Sequence, residues 1–303
     1  MAITPQDLIK TVSKYYLGNI EVVKTAVATL IAGGHLLLYG PVGGGKTTLA
    51  KALARAIGGT FARVQMTNET LPSDILGYGI YNQGQVRIVK GPIFNNVVLI
   101  DEINRGPPRT LSALIEPMQE KTVTIEGVTH RLPTPHMIIA TLNITEVATG
   151  AAPPLPLALL DRFTASLHID YVDAHTEREV VKLADYLDQL DGKPQSTTPA
   201  TLDAGKIYVA EEIVDYIIKI VEKIRNDERI SIPLSTRAPI SLYRLSRALA
   251  LLDGRGYVIP DDVKKAAYPT LAHRIIPKPE YSDVKPIQII QDALNEVEPP
   301  TYL

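Results

Sequence analysis

Gly40-Pro41-Val42-Gly43-Gly44-Gly45-Lys46-Thr47, continued by Thr48, is the stretch on which the reading of the whole chain turns. It fits the pattern G-x-x-x-x-G-K-[ST], in which glycine-rich backbone directs its N–H groups inward around a phosphate chain. The flanks test the match. Before it, His35 to Tyr39 is a short apolar run of strand type, and after it Lys46 to Ile57 carries apolar residues at helical spacing. A strand entering a glycine loop that opens a helix sets the anion at a helix N-terminus, where free N–H groups and the dipole favour negative charge. Lys46 is then placed for β- and γ-phosphates, and the Thr47 hydroxyl for a Mg²⁺ ion bridging them. A glycine-rich turn ending in a surface lysine would need none of this agreement.

Working outward, Val97-Val98-Leu99-Ile100 is an apolar strand that ends in Asp101-Glu102. Two acids at the loop edge of a parallel sheet fit a Walker B element. Asp101 would hold Mg²⁺ through water, and Glu102 would orient and polarise the attacking water. Taken alone, the pair also reads as an acidic helix start. Thr60 to Met66, Met137 to Leu142 and Thr164 to Asp170 complete a set of short apolar runs read as strands buried on both faces. Strands alternating with helical stretches predict an α/β fold around a parallel sheet. At the start, Thr4, Pro5 and Asp7 mark a capped helix read as running to Gly18, and Ile20 to Ile31 forms a second helix ended by Gly33-Gly34. After Tyr171 the apolar residues, such as Ile213, Tyr216, Ile217, Ile220 and Ile224, fall at helical spacing and predict an all-helical second part. Gly192 to Ala204 reads as an exposed loop within it.

Length and composition bound the rest. A chain of 303 residues suggests one large and one smaller domain, here 1–172 and 173–303. With 31 basic and 33 acidic residues spread along it, the chain shows no electrostatic footprint for a nucleic-acid backbone. Cysteine is absent, which removes disulfides and thiolate metal sites, and the six histidines lack ligand spacing. MAITPQDLIK has neither the basic region nor the apolar core of a secretory signal, so the expected location is the cytoplasm. The most apolar stretch, Ala26 to Tyr39, is interrupted and too short for a membrane span.

Further blocks carry a resemblance. Gly33-Gly34-His35-Leu36-Leu37-Leu38, Leu71-Pro72-Ser73-Asp74-Ile75-Leu76-Gly77, Gly91-Pro92-Ile93-Phe94, Asp101-Glu102-Ile103-Asn104-Arg105 and Ala140-Thr141-Leu142-Asn143 stand in order, followed by Pro154-Leu155-Pro156, Leu160-Asp161-Arg162-Phe163, Thr236-Arg237-Ala238 and His273-Arg274-Ile275. Together they resemble the MoxR family of AAA+ ATPases over almost the whole chain. The resemblance implies a P-loop fold of five parallel strands flanked by helices, a smaller C-terminal helical lid, and a hexameric ring hydrolysing ATP with Mg²⁺. Asn143 resembles the sensor 1 residue that places water or γ-phosphate. Arg162 resembles the arginine finger that enters a neighbour's site, and Arg237 resembles sensor 2 of the lid, acting on its own or a neighbour's nucleotide. Arg105 and Arg109 stand close behind the two acids and read either as crossing a subunit boundary or, at least as readily, as a solvated face. Gly79 to Lys90 and Val123 to Leu132 resemble the inserted hairpins that face the ring's pore, where Tyr81 would touch a protein client. Relatives of this kind work with proteins carrying a von Willebrand factor A domain in maturation or metal insertion. A nucleic-acid motor is the alternative, and near-neutral charge speaks against it. A small-molecule kinase comes third. Ile144 departs from the family's usual proline after Asn143, Tyr39 stands where an acid is common, and Gly44-Gly45 stand where an alanine before the lysine is usual. Neither of the last two changes removes a phosphate ligand.

Overall fold

The computed structural model of the chain describes residues 4–82, 85–142, 153–184 and 203–301. Helix α1 (Pro5–Ser13) opens on a capping box: Thr4 Oγ1 accepts from the Asp7 N–H at 3.2 Å while the Asp7 carboxylate accepts from the Thr4 N–H at 3.0 Å. It stops at Ser13, short of the Gly18 expected, and Tyr15 and Tyr16 instead turn into the core. Helix α2 (Ile20–Ile31) follows, with Val23, Ala26, Val27, Ala28 and Thr29 fully buried, so it is enclosed on nearly all sides.

Strand β1 (Leu36–Tyr39) leads through the glycine loop into α3 (Lys46–Ala56), and β2 (Phe61–Gln65) follows. Short helix α4 (Pro72–Leu76) leads to a hairpin of β3 (Gly77–Asn82) and β4 (Gln85–Lys90), whose turn at Gln83-Gly84 lies outside the described residues. Next come β5 (Val97–Asp101), α5 (Pro108–Ala113), α6 (Ile115–Glu120) and a second hairpin, β6 (Thr122–Ile125) with β7 (Val128–Arg131). The turn of that hairpin, Glu126-Gly127, has both residues at positive φ (49° and 76°), the geometry that matches strand twist in a two-residue loop. Strand β8 (Met137–Leu142), α7 (Leu157–Leu160) and β9 (Ala165–His168) complete the sheet region. Helices α8 (Ala174–Lys182), α9 (Glu211–Arg225), α10 (Arg237–Leu252), α11 (Pro260–Leu271) and α12 (Pro286–Glu296) follow.

The sheet order is β2-β5-β8-β1-β9, all parallel. Strand alternation divides its core in two. Leu36, Leu38, Leu99 and Ile139 face one side and join a cluster that runs through α1, α2 and α3 into α9 to α12. Leu37, Val98, Ile100 and Ile138 face the other and pack with Ile75, Ile93, Ile103, Leu114 and Phe163. Only the three central strands meet the expectation of burial on both faces. β2 lies at the sheet edge with Arg63 and Gln65 exposed, and His168 of β9 is exposed at the other edge. Beyond Val172 the described residues form helices and two isolated bridges, as the helical spacing predicts. On α9, Ile213, Tyr216, Ile217, Ile220 and Ile224 are all buried. Among the described residues no helix is long and apolar enough to cross a membrane.

Candidate functional site

Residues Gly40 to Thr48 leave the carboxyl end of β1, the edge at which open parallel sheets place ligands. Gly40 sits at φ 141°, and a Cβ there would lie 1.9 Å from the Ile169 carbonyl, so no other residue fits. Gly45 caps α3, which makes the loop's last N–H groups those of a helix start. Lys46 Nζ donates to the carbonyls of Gly40 at 2.9 Å and Pro41 at 2.6 Å, which folds the side chain back over the loop. Partial burial lowers its ammonium pKa, while Asp101 and Glu102 act in the opposite sense. A cleft of about 340 Å³ lies against this loop, lined by Gly40, Val42 to Thr48, Arg63, Gln65, Asp101, Glu102, Thr141 and Leu142. Lys46, Thr47, Thr48, Asp101 and Glu102 are therefore brought together, and Pro41 supplies one of the carbonyls that hold Lys46.

The two acids are held by neighbours on both sides. Thr141 Oγ1 donates to Asp101 Oδ1 at 2.5 Å and accepts from the Glu102 N–H at 2.9 Å. Arg63 on the sheet edge donates to Asp101 Oδ2 through Nη2 at 2.6 Å and Nε at 3.2 Å. Gln65 donates to Glu102 Oε2 at 2.8 Å, and Arg105 Nε lies 3.1 Å from the same oxygen. Glu102 itself is in the left-handed region (φ 53°, ψ 49°), a turn that ends β5 and lets the carboxylate line the cleft. Arg63, Gln65 and Thr141 were not legible as site residues in the sequence, since an alternating strand end carries no motif. Arg105 meets Glu102 and is no free surface charge.

Next to the loop lies a second hollow of about 420 Å³, lined by Tyr16 to Asn19, Val22 and His168 to Asp173 among others. The Tyr171 hydroxyl donates to the Val42 carbonyl at 3.1 Å, and the Tyr16 ring approaches Gly45, so this hollow adjoins the phosphate loop. Its lining mixes Tyr16, Tyr171, Val22 and Ile169 with polar Asn19, Asp170 and Thr176, so it offers a flat heterocycle both apolar surface and hydrogen-bonding groups beside the phosphate cradle. Sequence reading missed it because its residues come from two segments 150 positions apart.

Arg162 and Arg237 are absent from both hollows. They meet each other instead: Arg162 Nη2 and Arg237 Nη2 both donate to Gln119 Oε1, at 2.9 and 3.0 Å. Arg162 also donates to the Ala158 carbonyl, and its guanidinium pKa is lowered by burial and then by Arg237. Asp161 ties this corner to the helical part. It accepts from Arg274 Nε at 3.0 Å and Ser235 Oγ at 2.7 Å, and lies 3.6 Å from Arg237 Nη1. Asn143 lies outside the described residues, as does Ile144. Tyr81 is 75% exposed at the outer end of β3, with Tyr78, Ile80 and Val86 also exposed. No cluster of three or more His, Cys, Asp or Glu suited to a metal is found among the described residues.

Comparison with known proteins agrees with this fold. Residues 35–165 match the family model described as ATPase family associated with various cellular activities (AAA), and residues 222–293 match the AAA lid domain. An uncharacterised Bacillus subtilis protein, YeaC, is 35% identical over 96% of this chain and 93% of its own. Chaperone MoxR1 of Mycobacterium tuberculosis is 34% identical over 90% of this chain and 76% of its own, and protein MoxR of Paracoccus denitrificans is 29% identical over 88% and 86%. A crystal structure from Cytophaga hutchinsonii superposes with a TM-score of 0.82 at 32% identity, covering 98% of this chain and 94% of that one.

Proposed function

The chain belongs to the MoxR family of AAA+ ATPases, and from that premise we propose that it hydrolyses ATP with Mg²⁺ as a ring, most simply a hexamer, to remodel or activate a protein client. The observation that carries the reading is the split between two sites: a cleft holding Lys46, Thr47, Asp101 and Glu102, and a separate corner holding Arg162 and Arg237.

The cleft's residues fit a magnesium–nucleotide. The glycine loop and the first turn of α3 line it, the Lys46 ammonium is held by two carbonyls, and Asp101 and Glu102 line the same cleft. Lys46 would exchange the Gly40 and Pro41 carbonyls for phosphate oxygens, a stronger charge-assisted pairing. Thr47 and Asp101 would hold the metal, which when bound neutralises charge growing on the phosphate oxygens. Glu102 would take the attacking water as base, its backbone fixed by Thr141. Asn143 follows β8 directly and would place that water. Tyr16 and Tyr171 would flank the base.

Both arginines would act on a neighbour's nucleotide, because the corner they share is not part of their own cleft. The boundary between a nucleotide-binding part (1–172) and a lid (173–303) would then let motion at Arg237 report the cycle. The hairpin of β3 and β4, with its exposed Tyr81, would touch the client, a protein with a von Willebrand factor A domain being the first candidate.

The test is ATP hydrolysis per subunit across a dilution series that spans assembly. A fall on dilution, with Arg162→Ala abolishing turnover but not ATP binding, supports a site completed in trans. Constant specific activity down to a demonstrated monomer would overturn it.

A further inference from the structure

At the amino ends of the strands, on the sheet edge remote from the phosphate loop, lies a cavity of about 200 Å³ whose walls are mostly aliphatic. Leu8, Leu30, Ile31 and Ile57 supply those walls, and Lys121 and His136 its polar end.

Lys121 has no acid. No carboxylate lies within 4 Å of its ammonium among the described residues, and its contact is His35 Nε2 at 2.9 Å. That nitrogen is not an acceptor. His35 Nδ1 accepts from the Ile138 N–H at 2.9 Å, so the ring proton sits on Nε2, where the Met118 carbonyl accepts it at 3.0 Å. The ammonium therefore faces a donor. Burial, and the further positive charge of Arg244 on α10, push its pKa down to about 8, the signature of a cation missing its partner. His136 is neutral: its Nδ1–H donates to the Asn95 carbonyl at 2.9 Å, so buried Nε2 is an acceptor with no partner among the described residues and brings no positive charge to compete with Lys121 for an anion. A buried charge without a counterion is costly, and a cavity of this size beside it has room for one.

We propose that this cavity binds a small monocarboxylate with a short alkyl tail, its head paired with Lys121 and its tail among Leu8, Leu30, Ile31 and Ile57. The pairing is ionic and no covalent bond forms. Inorganic anions lack the tail, and longer acids exceed the volume. The site is independent of the ATP reading.

Binding requires the ammonium, so the proton on Lys121 decides the pH profile. Burial holds the imidazole of His35 well below its ordinary range and that of His136 at about 4, so above neutral pH Lys121 is the titrating group that faces the head. Affinity should be level to about pH 7.5 and fall above the lysine's depressed value, where an ordinary lysine would hold it level to about 10.

The experiment is calorimetric titration of the full-length protein with sodium acetate, butyrate, hexanoate and decanoate, and with inorganic phosphate. Expected are one saturable site, a gain of roughly three- to fourfold per methylene up to about hexanoate, and loss for decanoate. Lys121→Met should weaken butyrate at least tenfold, with folding checked by circular dichroism. Lys121→Arg should retain binding and lose the fall above pH 8. No saturable binding, equal binding of phosphate and butyrate, or a pH profile unmoved in Lys121→Arg would each overturn the proposal.

Discussion

Replacing Arg274 by Met tests how the helical part is fastened to the sheet. The Arg274 side chain is only 3% exposed, which makes its guanidinium one of the most deeply placed charges in the chain. Nε donates to Asp161 Oδ1 at 3.0 Å. Nη2 donates to the carbonyls of Phe163 at 2.8 Å and Asp161 at 3.1 Å and to Ser241 Oγ at 3.0 Å, and Nη1 donates to the Thr270 carbonyl. Methionine fills most of that volume but offers no donor. Some acceptors keep a second partner, since His273 Nε2 lies 2.9 Å from the Phe163 carbonyl and Ser235 still donates to Asp161. Asp161 Oδ1 and the Asp161 carbonyl have no other side-chain donor among the described residues. Breaking a buried pair in this way costs about 3–5 kcal/mol. With a urea m-value of about 3 kcal/mol/M for a chain of this size, the midpoint should fall by roughly 1–1.7 M. Urea unfolding followed by tyrosine fluorescence suits a protein with 14 tyrosines and no tryptophan, with far-ultraviolet circular dichroism as the second probe. A midpoint shift below about 0.3 M would show that the Arg274 network is dispensable and refute the reasoning.

Acid should weaken the fold through its buried histidines. His35 and His273 are held well below the usual imidazole range by burial, and His136 at about 4, so only the unfolded chain gains these protons as pH falls below about 6.5. Stability is full above that pH and declines below it by up to about 1.4 kcal/mol per pH unit per histidine, and His273→Gln should remove about a third of that slope in denaturation midpoints between pH 6.5 and 5. Gly40→Ala drives a methyl into the Ile169 carbonyl, and fluorescent-nucleotide titration should show affinity reduced at least tenfold. Glu102→Gln keeps the backbone and the contact with Gln65, so nucleotide should bind within about threefold of the parent while phosphate release falls at least a hundredfold.

The central sheet was legible because Leu36 to Leu38, Val97 to Ile100 and Met137 to Ala140 are short continuous apolar runs, the pattern of a strand covered on both faces. The edge strands broke that rule, since Arg63 and Gln65 face the cleft where solvent and acids replace a second helical layer. Lys46, Asp101 and Glu102 could be read from motif and position alone. Arg63 and Thr141 could not, because what selects them is proximity to Asp101 across strands distant in sequence. Tyr16 and Tyr171 share that fate, and helix α1 ended early because tertiary burial of Tyr15 and Tyr16 outweighed helical propensity. Arg162 and Arg237 were singled out one by one through a family resemblance, yet their convergence on Gln119 is a property of the folded chain.

The backbone of Glu102 has a consequence for the fate of variants at this position. A left-handed conformation costs an ordinary L-residue about 1–2 kcal/mol, a penalty that glycine escapes. Glu102→Gly would therefore relax the turn and offset the lost contacts with Gln65 and Arg105, leaving a chain at least as stable and devoid of the carboxylate. With Glu102 as the proposed base, selection for thermal robustness alone would drift toward that glycine and selection for turnover would pull back, so tolerance at Glu102 distinguishes which pressure a population has experienced.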